Sequence, residues 1–353
     1  MRIVKRAGIL AVVCYGLAAA ACVSVNVAGQ GDGARIGGPL DVAGPLQVQG
    51  DLHVGGPATI HGTVQARALT VAGPVKTTLP RGESAGPDQP SRAAISRMKL
   101  DPMLFTGQVA LITGASHGIG AATARLLASL GAAVAVNYHH DSRAAAAVTD
   151  DIRAAAGRAV PFGADVTDAE AVSRLMTDVT AALGPIDVLV LNAAGFVHPA
   201  RAPLLQTPQD ILEQAVLAQL RAVMLPARAV GTAMAATGAG SIVVVSSGQA
   251  RDPQPGCADV AVAKAAIEGA ARALARELGP HGVRVNVVAA GPTLTRAIAW
   301  ASDEDCHRWA ARTPLGRNAS VCDVAGAIAL LASPLAGFCT GAYLPASGGV
   351  IMP

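Results

Sequence analysis

A short apolar segment that runs directly into a glycine-rich turn constrains this chain more than any other feature. Val109–Ile112 is apolar throughout, and residues 113–120 follow it with three glycines before a helical stretch begins. Gly114 allows the tight turn, Gly118 allows the backbone to approach a pyrophosphate, and Gly120 allows close packing of the helix. The helix would then present free N–H groups and the positive end of its dipole. The pattern predicts a turn that binds the phosphates of a dinucleotide.

The region after this turn alternates between predicted strands and predicted helices. Short apolar segments at regular intervals are typical of buried strands. The predicted strands are 109–112, 133–137, 159–163, 188–191, 241–245, 284–288 and 341–344, and helices start near Gly118, Ser142, Asp168, Gln209, Ala258 and Val321. Parallel strands joined by crossover helices predict an α/β fold, a Rossmann-type doubly wound seven-stranded parallel sheet. The ligand of such a sheet binds at the carboxyl ends of its strands.

Residues 104–353 resemble the short-chain dehydrogenase/reductase family and are similar to its 3-oxoacyl-[acyl-carrier-protein] reductases. The turn 113–120 matches the family's Thr-Gly-x-x-x-Gly-x-Gly, and residues 192–195 match its Asn-Asn-Ala-Gly with Ala193 for the second Asn. Segments 290–295, 314–317 and 347–349 also match, with Ala290 for a usual Pro and Ser347 for a common Asp. The cofactor-binding residues that we expect are Gly114, Ser116, His117, Gly118, Ile119, Gly120, His139, Ser142, Arg143, Asp165, Val166, Asn192, Ala193, Ala194, Gly195, Lys264, Gly291, Thr293 and Thr295.

The end of the second predicted strand favours NADP(H) over NAD(H). An NAD enzyme would offer an acid there to bind the ribose 2′-hydroxyl, but no acid stands at the strand tip, and we expect Asp141 on the following loop. His139, Ser142 and Arg143 would instead meet a 2′-phosphate. His117 lies where NADP-preferring relatives often have Arg or Lys. The alternative is that these side chains are solvated loop residues.

The catalytic pattern of the family is incomplete in this chain. The resemblance implies that Lys264 binds the ribose and that Ser247 hydrogen-bonds the substrate oxygen. The position of the proton-donating Tyr, four residues before the Lys, holds Val260, and the position of the proton-relay Asn holds Gln219. The spacing used by enoyl reductases places Cys257 at the Tyr position, so it does not restore the pattern. Loss of a general acid typically lowers the rate by about 10²–10⁴-fold.

Charge and cysteine content exclude two other classes of function. The net charge is only +3, and we find no Lys/Arg cluster, so no nucleic-acid partner is expected. The six cysteines form no Cys-x-x-Cys pair and no His/Cys cluster, so no metal is expected. The four cysteines after residue 103 are interpreted as small apolar fillers.

The first 22 residues resemble an export segment. Basic residues precede a short apolar run, and residues 19–22 resemble a bacterial lipobox in which Cys22 would carry a lipid anchor. The apolar run is short for a membrane span of about 20 residues. Simple cleavage, an uncleaved anchor and an incorrectly assigned start are the alternatives. The protein would lie in the cell envelope if this segment is used, and in the cytoplasm if translation starts at Met98 or Met103.

A six-residue repeat follows, from about residue 36 to 75. Glycines at 38, 44, 50, 56 and 62 are in phase, with apolar residues two and four positions later, and the phase slips near 68–73. The repeat predicts a β-solenoid of three hexapeptides per turn and resembles bactofilin-like polymer-forming repeats. A low-complexity linker is the alternative. Residues 76–103 are predicted to be a flexible linker, and 104–353 to be the nucleotide-binding domain.

Three functions remain open from the sequence. The first is an oxidoreductase acting on a small carbonyl, alcohol or acyl substrate, with catalysis weakened or altered at Val260. The second is a nucleotide-binding pseudoenzyme that serves as a sensor or scaffold. The third is an envelope structural protein that uses the N-terminal repeat. By resemblance alone, we expect a homo-oligomer, specifically a tetramer.

Overall fold

The computed structural model describes nine short strands between Val23 and Thr77, and residues 104–194, 202–298 and 301–352. The chain divides into two compact units, 1–84 and 85–353. Outside the described residues lie the predicted export segment 1–22, most of the predicted linker 76–103, and Gly195.

The nine strands of the first unit pair in parallel. They are β1 (Val23–Val25), β2 (Ala34–Ile36), β3 (Leu40–Val42), β4 (Leu46–Val48), β5 (Asp51–Val54), β6 (Ala58–Ile60), β7 (Val64–Gln65), β8 (Ala68–Val71) and β9 (Val75–Thr77). They form three parallel three-stranded sheets, β1-β4-β7, β2-β5-β8 and β3-β6-β9. Every third strand therefore pairs, which is the connectivity of a three-sided β-solenoid.

The register of this unit shows where the repeat slips. Leu40 pairs with Ala58, an offset of 18 residues or three hexapeptides. Ala58 then pairs with Val75, an offset of 17 residues. The last coil has thus lost one residue, at the place where the sequence phase changes.

The second unit is built around the predicted seven-stranded sheet. Its strands are β10 (Val109–Ile112), β11 (Ala133–Tyr138), β12 (Arg158–Gly163), β13 (Val188–Leu191), β14 (Gly240–Ser247), β15 (Val283–Ala290) and β16 (Tyr343–Ala346). All neighbours are parallel, in the order β12-β11-β10-β13-β14-β15-β16. The order reverses at β10, so the crevice for a ligand lies beside the glycine-rich turn that follows β10.

Seven α-helices of the described residues cover this sheet or border it. They are α1 (Gly118–Ser129), α2 (Ser142–Ala154), α3 (Ala169–Leu183), α4 (Gln209–Thr237), α5 (Ala258–Leu278), α6 (Asp303–Arg312) and α7 (Val321–Ala332). One apolar core joins the sheet to α1, α2 and α7. A second core joins the opposite face to α3, α4 and α5. Within the described residues, none of the helices has the length and apolar character needed to cross a membrane.

The structure differs from the sequence analysis in three places. β16 begins at Tyr343, two residues later than predicted, because Gly341 has a positive φ of 70° and belongs to the preceding turn. Helix α6 was not predicted, although Ser302 and Asp305 form a capping box at its start. Cys339 is exposed, so it is not the apolar filler that was expected.

Candidate active site

The carboxyl edge of the sheet brings the predicted site residues together. The glycine-rich turn follows β10, residues 139–143 follow β11, and Asp165 and Val166 follow β12. Residues 192–194 follow β13, Ser247 ends β14, and Gly291, Thr293 and Thr295 follow β15. Gly195 was predicted here too but lies outside the described residues.

The glycine-rich turn has the shape that a pyrophosphate requires. Gly114 and Gly118 have positive φ angles of 62° and 55°, which side-chain-bearing residues rarely adopt. A Cβ on Gly120 would collide with the carbonyl oxygen of Gly114 and would lie 2.6 Å from the amide nitrogen of Asn192. Helix α1 has no acidic residue in its first turn, and no side chain of the described residues caps its start. Its N–H groups are therefore available to an anion.

Asn192 and Thr113 lock this turn to the neighbouring strand. The Asn192 side-chain amide donates to the carbonyl oxygens of Thr113 and Gly114, at 3.0 Å each. The buried Thr113 hydroxyl accepts from the backbone N–H groups of Asn192 and Ala193, also at 3.0 Å each. The ends of β10 and β13 are thereby held as one rigid edge.

Asn137 is a positioning residue that the sequence analysis missed. Its side-chain oxygen accepts from the backbone N–H of Gly114 at 3.2 Å. Its side-chain nitrogen donates to the carbonyl oxygens of Phe162 and Ala164, at 3.3 and 3.1 Å. The signal was an asparagine at the end of an apolar strand, where a fully buried amide must find partners.

The expected adenosine end of the groove carries several titratable side chains. His117 Nε2 lies 3.0 Å from a carboxylate oxygen of Asp141, and His139 Nε2 lies 3.9 Å from one of Asp165. The rings of His139 and His140 are stacked, with centroids 3.5 Å apart. Ser142 and Arg143 are exposed in the first turn of α2.

Asp141 is the last residue of the loop after β11, as predicted, and it has a structural role there that was not predicted. Asp141 caps helix α2, where its carboxylate accepts from the Ala144 N–H at 2.9 Å. This hydrogen bond, together with His117 and Arg296, lowers the pKa of Asp141. The pKa of Asp165 is also lowered: burial opposes this, but hydrogen bonds from the Thr167 N–H and hydroxyl outweigh it. Both side chains thus stay carboxylates near neutral pH.

Lys264 is buried in α5 rather than lying on a helix surface. Its Nζ donates to the carbonyl oxygen of Val245 at 3.1 Å, and the residue is only 9% exposed. Burial lowers the pKa of Lys264 to about 8, although the charge of Glu268 acts in the opposite direction. Lys264 is therefore close to losing its proton under mildly basic conditions.

Glu268, one turn after Lys264, belongs to a buried polar network. Its carboxylate accepts from the Ser246 hydroxyl at 2.7 Å and from Arg251 Nε at 3.3 Å. The Arg251 guanidinium lies 3.4 Å from the centre of the Tyr343 ring. The Tyr343 hydroxyl is buried without a hydrogen-bond partner among the described residues, and burial raises its pKa. The network joins the strand that carries Ser247 to β16.

Of the three remaining predicted catalytic positions, two hold polar side chains and one holds a valine. Ser247 ends β14 and accepts from the Gln249 N–H at 3.3 Å. Val260 is half-buried in the first turn of α5 and has no group that could donate a proton. Gln219 is buried in α4 and donates to the Ala193 carbonyl at 3.3 Å. Its side-chain oxygen is buried without a hydrogen-bond partner in the part of the chain that the structure describes.

The segment after β15 lies at the same carboxyl edge of the sheet. Gly291 packs so tightly that a Cβ there would lie 2.7 Å from the Cα of Ser347. Thr293 is buried, donates to the Gly291 carbonyl at 2.9 Å and bridges to Ala319. Thr295 is half-buried at the start of the short turn 296–298. These residues lie where the nicotinamide end of a dinucleotide is expected from the sequence.

Comparison with known proteins decides the family. Residues 114–351 match the sequence profile of a family described as enoyl-(acyl carrier protein) reductase. The chain belongs to the short-chain dehydrogenase/reductase family. It is 39% identical over 245 residues to cis-4-hydroxycyclohexanecarboxylate dehydrogenase of Sinomonas cyclohexanicum, covering 69% of this chain and 97% of the relative. It is 36% identical over 249 residues to 3-oxoacyl-[acyl-carrier-protein] reductase of a Synechocystis strain, covering 70% of this chain and 98% of the relative.

Solved structures place the short-chain dehydrogenase/reductase unit in the same fold. A dehydrogenase/reductase from Sinorhizobium meliloti 1021 is 36% identical, with a TM-score of 0.64, covering 71% of this chain and 98% of that one. A gluconate 5-dehydrogenase from Burkholderia cenocepacia, solved with NADP and tartrate, is 30% identical, with a TM-score of 0.66, covering 71% of this chain and 97% of that one. The likeness spans the second unit, so the chain is a short-chain dehydrogenase/reductase with an additional N-terminal region.

Proposed function

We propose that this short-chain dehydrogenase/reductase interconverts a small alcohol and its carbonyl with NADP(H), by a catalysis that is weakened or altered at the proton-transfer step. One observation carries the proposal: the chain retains the glycine-rich turn, Ser247 at the end of β14 and a buried Lys264 bonded to the same strand, while Val260 occupies the tyrosine position. The family itself is an oxidoreductase family, and relatives are named for alcohol and carbonyl substrates.

The residues at the carboxyl edge fit a nicotinamide dinucleotide. The glycine turn and the start of α1 would hold the pyrophosphate, Asp165 and Val166 the adenine, and Thr293 and Thr295 the nicotinamide amide. When bound, the cofactor supplies or accepts a hydride. His139, Ser142 and Arg143, with His117, favour a 2′-phosphate and hence NADP(H) over NAD(H).

The weak step is delivery of a proton to the substrate oxygen. A valine has no proton to give, so the Ser247 hydroxyl is left as the hydrogen-bond donor to that oxygen, with water supplying the proton. Removal of a general acid typically slows a reaction by about 10²–10⁴-fold. We therefore expect the basal kcat/KM to be about 10²–10⁴-fold lower than that of an enzyme that has the tyrosine.

A nucleotide-binding pseudoenzyme is the second candidate. It is favoured by the same Val260 and by the hydrogen bond from Lys264 to the Val245 carbonyl, which engages a family catalytic side chain within the protein. A structural role of the N-terminal repeat is the third candidate, favoured by the parallel pairing of β1–β9.

A Val260→Tyr variant separates these candidates. We expect it to increase kcat/KM for ketone reduction with NADPH by about 10²–10⁴-fold, because the missing general acid is restored. Val262→Tyr is the matched control, since Val262 lies on the same helix, is 49% exposed and should leave activity unchanged. Nucleotide affinity is measured in parallel by fluorescence titration.

Two outcomes would contradict the proposal. Wild-type turnover at ordinary rates, with no gain in Val260→Tyr, would require a different proton donor. Absence of NADPH and NADH binding would favour the structural role of the repeat.

Location and assembly are proposed on the sequence alone. The chain would lie in the cell envelope, with a lipid on Cys22, if residues 1–22 direct export, and in the cytoplasm if translation starts at Met98 or Met103. N-terminal sequencing of the native protein separates the two. We also propose a homo-oligomer, which sedimentation measurements would test.

A further inference from the structure

The adenosine end of the groove contains an unusual concentration of histidine and aspartate. Five such side chains come from three loops: His117 after β10, His139, His140 and Asp141 after β11, and Asp165 after β12. Two contacts join them across these loops, His117 to Asp141 at 3.0 Å and His139 to Asp165 at 3.9 Å. Within the described residues, no group of three or more such side chains is arranged to hold a metal ion.

The charge of this cluster depends on the imidazoles. The two carboxylates stay ionised near neutral pH, because both have lowered pKa values. Histidine changes its charge between about pH 5 and pH 8. With neutral imidazoles the five side chains carry two negative charges, and with three imidazolium ions they carry one net positive charge.

Four other charged side chains lie near this cluster. Arg143 stands beside Asp141 in the first turn of α2, and Arg296 acts electrostatically on Asp141 from the segment after β15. Arg221 of α4 donates to the Thr167 carbonyl at 2.7 Å, next to Asp165, and Asp168 caps α3. These three arginines and Asp168 add a formal charge of +2, so charging the three histidines takes the whole region from about neutral to a net charge of +3.

We propose that His117, His139 and His140 determine whether this protein prefers a 2′-phosphate or a free 2′-hydroxyl, according to their protonation. Imidazolium ions attract the phosphate and neutralise Asp141 and Asp165. With neutral imidazoles, Asp141 and Asp165 offset the attraction of the phosphate to the nearby arginines, so the preference for NADP(H) falls as pH rises. The inference rests on the proposed function, because it assumes that NADP(H) binds in this groove.

The 2′-phosphate itself changes charge in the opposite sense. A phosphate monoester gains negative charge as pH rises through about 6. That effect alone would strengthen its attraction to fixed arginines at high pH. A preference for NADPH that falls with rising pH therefore has to come from the protein.

The test is a pair of equilibrium titrations on the full chain. The Kd of NADPH and of NADH is measured by fluorescence at about pH 5.5 and about pH 8.5. We expect the ratio of the NADH Kd to the NADPH Kd to fall by about tenfold or more, mostly through weaker NADPH binding. In the triple variant His117→Gln, His139→Gln, His140→Gln, the ratio should stay constant or rise.

Two further variants sharpen the test. Asp141→Asn keeps a good helix cap and should raise NADPH affinity at the higher pH, because one repelling charge is removed. His281→Gln is the matched control, since His281 precedes β15 at the opposite edge of the sheet and should leave the pH profile unchanged.

The outcomes separate this inference from the proposed function. If both nucleotides bind wild type with a ratio independent of pH, the histidines do not select the cofactor. If the triple variant keeps the wild-type profile, other groups select it. If neither nucleotide binds at any pH, the proposed function fails first. Circular dichroism of each variant confirms that it is folded.

Discussion

The surroundings of Lys264 oppose its positive charge. The residue is 9% exposed, and its Nζ has a carbonyl partner, the oxygen of Val245, while Glu268 lies one helical turn away. Burial lowers its pKa from 10.5 to about 8. The folded protein therefore releases this proton at a lower pH than the unfolded chain does, so between about pH 8 and 10.5 the unfolded chain binds more protons.

This linkage predicts a specific pH dependence of stability. The free energy of unfolding of wild type, relative to Lys264→Met, should rise by on the order of 3 kcal/mol as the pH increases through that window. Urea unfolding of both proteins across the window measures it. Glu268→Gln should extend the rise to lower pH, because Glu268 supports the charged lysine. Parallel curves for wild type and Lys264→Met would contradict the prediction.

The sequence does not predict which side chains form hydrogen bonds and ion pairs with one another. The sequence identified Lys264, Ser247 and Asp165 because a motif surrounds each one. It did not indicate the network of Ser246, Glu268, Arg251 and Tyr343, whose members come from β14, a loop, α5 and β16. Contacts between distant segments have no local signal in spacing or periodicity.

At the scale of elements, glycine packing and hydrogen bonds to neighbouring strands fix the conformation of the turn between β10 and α1. Apolar strands, glycine spacing and helix periodicity are local properties, so the sheet and most helices were predicted from them. The start of β16 and the whole of α6 were not. β16 is only half-buried along its length, and α6 has no buried residue, so neither contains the buried apolar residues from which the other elements were predicted.

The packing of α1 against the turn predicts the effect of one methyl group. Gly120→Ala should lower the free energy of unfolding by about 1–3 kcal/mol, because the added Cβ collides with backbone of the same turn. Nucleotide affinity should fall as well, since the start of α1 would be displaced. Thermal unfolding and NADPH titration measure the two effects.

Gly269→Ala serves as the matched control for this substitution. Gly269 lies inside α5, and the nearest atom to an added Cβ is 3.9 Å away. Alanine there should be neutral or stabilising by up to about 1 kcal/mol. Equal effects of the two substitutions would contradict the steric account.

At the scale of the whole molecule, the second unit matches nearly the full length of its relatives by itself. The relatives cover about 70% of this chain, and their own lengths are matched to 97% or more in the two cited sequences. We expect a variant that begins at Met103 to bind NADPH with the same Kd as the full chain. Fluorescence titration of the two proteins checks this, and loss of binding in the shorter one would assign the first unit a part in the site.

The shortened last coil of the first unit has a consequence for length. Neighbouring strands lie about 4.8 Å apart, so each complete set of three hexapeptides lengthens the stack by that fixed step. The number of repeats, and not the identity of their side chains, therefore determines the length of this stack of strands. A gain or loss of 18 codons in this region would lengthen or shorten the stack by one such step, whereas the 17-residue offset between β6 and β9 is compatible with the same parallel pairing.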